Sequence, residues 1–78
     1  MIKGNKQRRN ELAIKTLGAN IRKHRQQGKL TIEELANLIE VDYSQISRME
    51  RGTVNANVSI IFDIAKALNV KPSQLLEE

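Results

Sequence analysis

The sequence predicts an all-α domain made of five short helices. Apolar residues recur three and four positions apart over most of the chain, which is the spacing of one helical face. Residues that cap and end helices stand at the boundaries of these segments. β-branched residues never alternate with polar ones over a useful length, so no strand is predicted.

The composition indicates one small domain with an aliphatic core. The chain has 78 residues, with one Tyr, one Phe and no Trp, so Ile, Leu, Val and Ala must fill the core. The absence of Cys excludes a disulfide framework, a thiolate metal site and a cysteine nucleophile. No apolar run approaches the roughly 18–20 residues of a membrane span, and the basic start lacks the apolar stretch of a signal peptide. We therefore expect a cytoplasmic protein with no membrane partner.

Basic side chains are concentrated at the start of the chain. Residues 1–25 carry eight basic side chains and one acidic one, whereas residues 26–78 carry five basic and eight acidic ones. Residues 1–9 lack helical periodicity and are predicted to be a basic, flexible arm in front of a folded domain at 10–78. The positive end suits a polyanionic partner, and the alternative is a tail that keeps the protein soluble.

The first helix is predicted over residues 10–27, with Asn10 as its N-cap and Gly28 at its end. Its apolar stripe is predicted to be Leu12 or Ala13, then Leu17 and Ile21.

The second helix is predicted over residues 32–39. Thr31 is a good N-cap, and Glu34 stands three residues later, where it completes a capping box. Its apolar face consists of Ile32, Leu35, Ala36 and Ile39.

The third helix, predicted over residues 43–50, follows after a tight turn. Asp42 is its N-cap, Ile46 and Met49 form its buried stripe, and Gly52 can end it with a positive φ. Two short helices joined in this way can place the second one in the major groove of DNA. Its polar outer face consists of Tyr43, Ser44, Gln45, Ser47 and Arg48.

A loop at residues 52–57 precedes a fourth helix, predicted at about 58–68. Asn57 is its N-cap, and Asn69 ends it in the left-handed conformation. Pro72 fits the first turn of a short final helix. The inward-facing residues of the fourth helix are predicted to be Val58, Ile61, Ile64, Ala65 and Leu68.

An ordered set of residues also has the identity and spacing of a known family. The set is Arg25, Leu30, Thr31, Glu34, Leu35, Ala36, Val41, Ile46, Ser47, Glu50, Arg51, Gly52, Ile64, Ala65, Lys66, Ala67 and Leu68. In these residues the segment 17–77 resembles the helix-turn-helix domain of phage repressors and Cro proteins, the XRE family. The resemblance implies a compact five-helix, repressor-like domain that binds double-stranded DNA, usually as a homodimer on a palindromic operator.

The resemblance implies that the outer face of the third helix contacts DNA. Tyr43, Ser44 and Arg48 match the positions with which this family most often reads bases. Ser47 is expected beside the phosphates or in helix packing. Gln45 can pair with adenine, but it is also placed to cap its own helix. The alternative for all of them is an ordinary solvated face.

Phosphate contacts are implied just after this helix, at Arg51, Thr53 and Asn55. The sequence departs from the family pattern at three positions where a glutamine, a basic residue and a proline are common, namely Ile32, Val54 and Ala56. Basic residues of the first helix are the candidates to replace the missing contacts, namely Lys15, Arg22 and Lys23.

The resemblance also brings Arg25 and Glu50 together between the first and third helices. A guanidinium and a carboxylate can meet there as a bidentate pair that fixes the angle of the recognition helix. The alternative is a phosphate contact by Arg25.

A homodimer is expected because the third helix of one copy, the recognition helix, makes too few contacts with DNA for tight binding. Two copies related by a two-fold axis would place their recognition helices about 34 Å apart, which is one turn of DNA. The candidate interface residues are Ile60, Phe62 and Leu76, and the alternative is that they complete the small core.

No constellation of an enzyme is present in the sequence. It contains no nucleophile–base pair and no glycine loop that cradles phosphates, so no enzyme, cofactor or metal is expected. The alternative to a regulator is an antitoxin or another module whose main partner is a protein, with DNA binding as autoregulation. A third possibility is that the chain is a domain of a longer protein. The initial Met, and the end of the sequence soon after the last predicted helix, argue against this possibility.

Overall fold

Five α-helices make up residues 9–78, the part of the chain that this computed structural model describes. Within that range the backbone forms no β-strand. The helices are α1 (Glu11–Gln27), α2 (Ile32–Leu38), α3 (Tyr43–Glu50), α4 (Val58–Leu68) and α5 (Pro72–Leu75). The predicted all-α, five-helix fold is confirmed, and the predicted bounds of α3 and α4 agree with those observed. The prediction of a flexible arm at 1–9 falls, except for its last residue, outside the described residues.

Three of the helices begin with the side-chain caps that the sequence predicts. The amide of Ala13 donates to Asn10 Oδ1 at 3.0 Å. At the start of α2, the amide of Glu34 donates to Thr31 Oγ1 at 3.0 Å, and the Thr31 amide donates to Glu34 Oε1 at 2.8 Å, which completes the capping box. Asn57 accepts in the same way from the amide of the third residue of α4, at 2.9 Å.

Asp42 stands at the N-cap position of α3, but its carboxylate accepts no capping hydrogen bond. The amide of Gln45 donates to the main-chain oxygen of Asp42 instead, at 3.0 Å. The predicted cap position is therefore correct, and the predicted side-chain bond is absent.

The first four helices all end with the same pair of backbone hydrogen bonds, the Schellman motif. The residue that turns the chain is left-handed in each case, with φ of 59°, 59°, 70° and 59° at Lys29, Glu40, Gly52 and Asn69. The next amide donates to the carbonyl five residues back, at 2.9–3.1 Å, from Leu30, Val41, Thr53 and Val70. Gly28 does end α1, but with φ of −82° it is not the residue that turns.

Replacing Glu40 with glycine is expected to stabilise the domain by roughly 0.5–1 kcal/mol. The left-handed conformation costs a residue with a Cβ about 1–2 kcal/mol, and glycine avoids this cost but loses more backbone entropy on folding. Thermal unfolding measures the change, expected as a rise of a few degrees in Tm. The matched control is Glu33→Gly, which removes the same side chain from a right-handed position in α2 and should lower Tm. A Tm for Glu40→Gly below that of the wild type would contradict the argument.

The core lies between the helices, and each of them contributes to it. Its buried residues are Leu17, Ile21, Leu35, Ala36, Ile46, Met49, Ile60, Ile64, Ala65 and Leu75. In α1 the buried stripe starts at Ile14, and the predicted Leu12 and Ala13 are exposed.

The predicted register of α4 is also wrong at its first turn. Ile60 is only 6% exposed and belongs to the core, whereas Val58, predicted to face inward, is 68% exposed. Ile60 therefore cannot serve as the dimer-interface residue that the sequence suggested. The cause is that four of the first five residues of α4 are apolar, so spacing alone allows either register.

No helix between residues 9 and 78 has the length and apolar character needed to cross a bilayer.

Candidate nucleic-acid interface

The helix α3 packs against α1 and α2 through its own buried residues Ile46 and Met49. Its opposite side faces solvent. At 3.6 residues per turn, the polar residues of that side span an arc of roughly 140°. These residues are Tyr43, Ser44, Ser47, Arg48 and Arg51, of which Ser47 is half-buried and the others are exposed. Gln45 is half-buried and lies off this arc, at its border with the buried face.

This outer face of α3 offers donors and acceptors along its whole length. The hydroxyl groups of Tyr43, Ser44 and Ser47 can both donate and accept, and the two guanidinium groups donate only. Base edges in the major groove present acceptors and donors of matching kinds, above all guanine to arginine. The structure thus brings five of the predicted contact residues together, and their contact with DNA stays a prediction.

Thr53 and Arg51 have local partners at the C-terminal end of α3. The amide and the hydroxyl of Thr53 both donate to the carbonyl of Arg48, at 3.1 and 3.0 Å. Arg51 Nε donates to the Ser47 carbonyl at 3.3 Å. Thr53 therefore helps to end the helix, and its hydroxyl oxygen can still accept. Asn55 lies exposed two residues further on.

Basic residues from the start of the chain lie beside this same turn. Arg9 Nη2 donates to the Thr53 carbonyl at 3.4 Å, while Arg9 Nε donates to Glu11 Oε2 at 2.8 Å, a bond that lowers the pKa of Glu11. A Cβ placed on Gly52 would lie 3.2 Å from Lys15 Cα, so α1 runs directly over the turn at Lys15. Three basic residues, Arg9, Lys15 and Arg51, thus lie near the end of α3, and Glu11, the partner of Arg9, offsets one of their charges.

The other two residues of α1 predicted to contact phosphates, Arg22 and Lys23, lie on different sides of the helix. Arg22 is exposed and lies seven residues after Lys15, so the two share one side of the helix. Lys23 is also exposed but is rotated from Arg22 by about 100°.

The three positions that depart from the family pattern have a structural use in this chain. All three are half-buried and pack against the hydrophobic core, namely Ile32, Val54 and Ala56. Their side chains stabilise the domain by apolar contact and cannot supply the polar contacts that the family's residues make there.

Arg25 and Glu50 form a bidentate ion pair between α1 and α3. Arg25 Nε donates to Glu50 Oε2 at 2.6 Å, and Arg25 Nη2 donates to Glu50 Oε1 at 2.9 Å. Arg25 Nη1 also donates to the Leu30 carbonyl at 2.8 Å, and the two charged side chains are only 11% and 5% exposed. The hydrogen bond to Glu50 raises the pKa of Arg25, although burial opposes the shift. Because its donors are directed to these partners, Arg25 is not the phosphate contact that the alternative required.

Two contacts of α1 that help to position α3 and the C-terminal end were not predicted. A Cβ on Gly18 would lie 2.3 Å from the Met49 carbonyl oxygen, so α1 and α3 touch there backbone to backbone. Asn20 Nδ2 donates to the carbonyls of Leu75 and Glu77, at 2.9 and 2.7 Å, and thereby holds the C-terminal end against α1. A glycine in a helix interior costs about 1 kcal/mol, so its presence in α1 was a signal of close packing. Asn20 gave no such signal.

Metal binding finds no support in residues 9–78, which contain no group of three His, Cys, Asp or Glu side chains near enough to share an ion.

Comparison with known proteins identifies the family. A family model described as helix-turn-helix matches residues 21–75. A restriction-modification controller protein from Aeromonas hydrophila is 32% identical, with a TM-score of 0.77 over 80% of this chain and 94% of that one. A hypothetical transcription factor from Neisseria is 31% identical, with a TM-score of 0.81 over 94% and 85% of the two chains. The clp gene regulator from Corynebacterium glutamicum is 26% identical, with a TM-score of 0.80 over 82% and 68%. Curated proteins gave no significant match.

The match to the family model covers more than half of the chain and includes the whole α2–turn–α3 unit. Members of this family are DNA-binding regulators and not enzymes. The chain belongs to the helix-turn-helix family of the phage repressor and Cro type, the XRE family.

Proposed function

We propose that the protein is a sequence-specific transcriptional regulator that places α3 in the major groove of double-stranded DNA. The observation that carries this proposal is the outer face of α3. Tyr43, Ser44, Ser47, Arg48 and Arg51 share one polar arc, while the other side of the helix is anchored in the core.

The charge around α3 supports the same proposal. Arg9, Lys15 and Arg51 lie at its C-terminal end, where phosphates flank a helix that enters the groove. Contacts with phosphate supply affinity that falls steeply with salt, whereas side chains on base edges supply specificity. As a regulator of transcription, the protein would act in the cytoplasm, at the chromosome.

Selection of bound sites from random duplex DNA tests the proposal. We expect one sequence to be enriched, with its binding weakened by rising salt. Failure to enrich any sequence at low salt, with folded protein, would contradict the proposal.

We propose further that the protein binds as a homodimer on a palindromic operator. Phe62 and Leu76 are 57% and 55% exposed, and Val58, one turn before Phe62 on α4, is exposed as well. Exposed apolar side chains that adjoin one another mark an interface with another chain, and Val58 and Phe62 are neighbours on one side of α4. None of these three residues belongs to α3, and α4 packs mainly on α1, α2 and α5, so we expect a partner on this surface to leave the outer face of α3 free to reach DNA.

Replacing Phe62 with alanine is expected to raise the dimer dissociation constant about tenfold or more. A buried aromatic side chain at an interface contributes well over 1 kcal/mol, and a two-fold axis counts each substitution twice. Sedimentation at several concentrations measures the change, and Leu76→Ala should act in the same direction. Asp63→Ala, a neighbouring exposed substitution on α4, is the control and should leave association unchanged.

A monomer at every concentration, with one protein on each selected site, would contradict the homodimer. It would favour the alternative in which a different protein, such as a toxin, covers Val58, Phe62 and Leu76. A second chain that co-purifies with the wild type, and not with Phe62→Ala, would identify that partner.

A further inference from the structure

The C-terminal end of α3 touches the backbone of α1 at two successive places. A Cβ on Gly18 would lie 2.3 Å from the Met49 carbonyl oxygen and 2.9 Å from that of Glu50. One turn earlier on α1, a Cβ on Gly52 would lie 3.2 Å from Lys15 Cα. The two glycines, one on each side of the contact, therefore permit a close approach of the helix that carries the proposed contact face.

Any side chain at position 18 would change this distance. Carbon and oxygen atoms in ordinary contact stand roughly 3.4 Å apart, so a methyl group at Gly18 requires a movement of about 1 Å. The obstructing atoms are main-chain carbonyls of α3, which cannot rotate away as the end of a side chain can. The Arg25–Glu50 pair ties the same end of α3 to α1 two turns further along, on the same side of α1, so α3 cannot move off α1 without straining that pair.

We infer that Gly18 is a positioning residue for DNA recognition: the missing side chain sets the height of α3 above α1, and hence the reach of Tyr43, Ser44 and Arg48. This inference rests on the proposed function. Base contacts require the side chains to stand within about 0.5 Å of the productive geometry, so a movement of about 1 Å weakens them. Phosphate contacts from flexible Lys and Arg side chains tolerate such a movement far better.

Gly18→Ala tests the inference through two affinities, one for the selected site and one for a random duplex. We expect the affinity for the selected site to fall about tenfold or more, while that for the random duplex changes less than about threefold. The fraction of active protein is titrated for each variant, because lost folding alone would lower both affinities together. Gly28→Ala is the matched control, since a Cβ there would meet only ordinary contacts at 3.5 and 3.6 Å.

Equal specificity of Gly18→Ala and the wild type would overturn the inference, and so would a proportional fall in both affinities. If the variant melts below the assay temperature, it is measured in the Glu40→Gly background, and failure to fold there would also overturn a separate positioning role. A wild type that enriches no site would overturn the proposed function itself. A specific wild type with an equally specific Gly18→Ala would overturn only the role of Gly18.

Discussion

Glu50→Ala is expected to destabilise the domain by about 2–4 kcal/mol. The substitution leaves the Arg25 guanidinium buried with only the Leu30 carbonyl as partner, and an unpaired buried charge costs more than the pair itself contributes. In a domain of this size the loss corresponds to a fall of roughly 10–30 °C in Tm. Thermal and denaturant unfolding measure it directly.

A double-mutant cycle separates the pair from the effects of each residue. Arg25→Ala should also destabilise, and the double variant should cost less than the sum of the two, because it leaves neither charge behind. Glu33→Ala, an exposed glutamate of α2, is the control and should show no coupling with Arg25→Ala. If the losses in unfolding free energy for Arg25→Ala and Glu50→Ala simply add in the double variant, the bidentate contact contributes no stability.

Arg48→Ala is expected to weaken binding to the selected site by about 1–3 kcal/mol, or roughly 5- to 150-fold. Because Arg48 is exposed, the free energy of unfolding should change little. Discrimination should relax at one base pair, the one that the guanidinium reads. Equilibrium binding to the selected site and to its single-base variants measures both effects.

Lys66→Ala controls for the loss of one positive charge. Lys66 is an exposed residue of α4, outside the polar arc of α3, so its loss should cost little affinity and no discrimination. Ser44→Ala should repeat the Arg48 result at a different base pair. If both Arg48→Ala and Ser44→Ala bind the selected site with wild-type affinity, the assignment of α3 to the DNA interface is wrong.

Local signals account for most of what the sequence predicted correctly. A cap and its first turn lie within three residues, so Asn10, Thr31 and Asn57 revealed where α1, α2 and α4 begin. The same holds for Gly52 and Asn69, which end α3 and α4 with positive φ.

The errors came from choices that only tertiary packing decides. Leu12, Ala13 and Ile14 are consecutive apolar residues, and helical periodicity cannot say which of them faces the core. A similar ambiguity at the start of α4, where four of the first five residues are apolar, gave the wrong register and a false interface residue.

The part of the candidate site that lies on one helix, the outer face of α3, could be predicted from the sequence. Exposure of the α3 face follows from its spacing against Ile46 and Met49, since the two stripes occupy opposite sides of one helix. The approach of Gly18 to Met49 and the bonds from Asn20 to the C-terminal carbonyls join distant segments. The glycine in the interior of α1 signalled a close approach but not its partner, and Asn20 gave no signal at all, so both partners could be found only in three dimensions.

The repeated ending of α1 to α4 has a consequence for the speed of folding. Each helix is started and stopped by hydrogen bonds that span three to five residues, so much of the chain's geometry is available before any distant segments meet. Helical domains dominated by such short-range contacts fold in microseconds to milliseconds, because little loop entropy is lost before contacts form. We therefore expect each copy to present the outer face of α3 within milliseconds of leaving the unfolded state, before it meets a second copy or DNA.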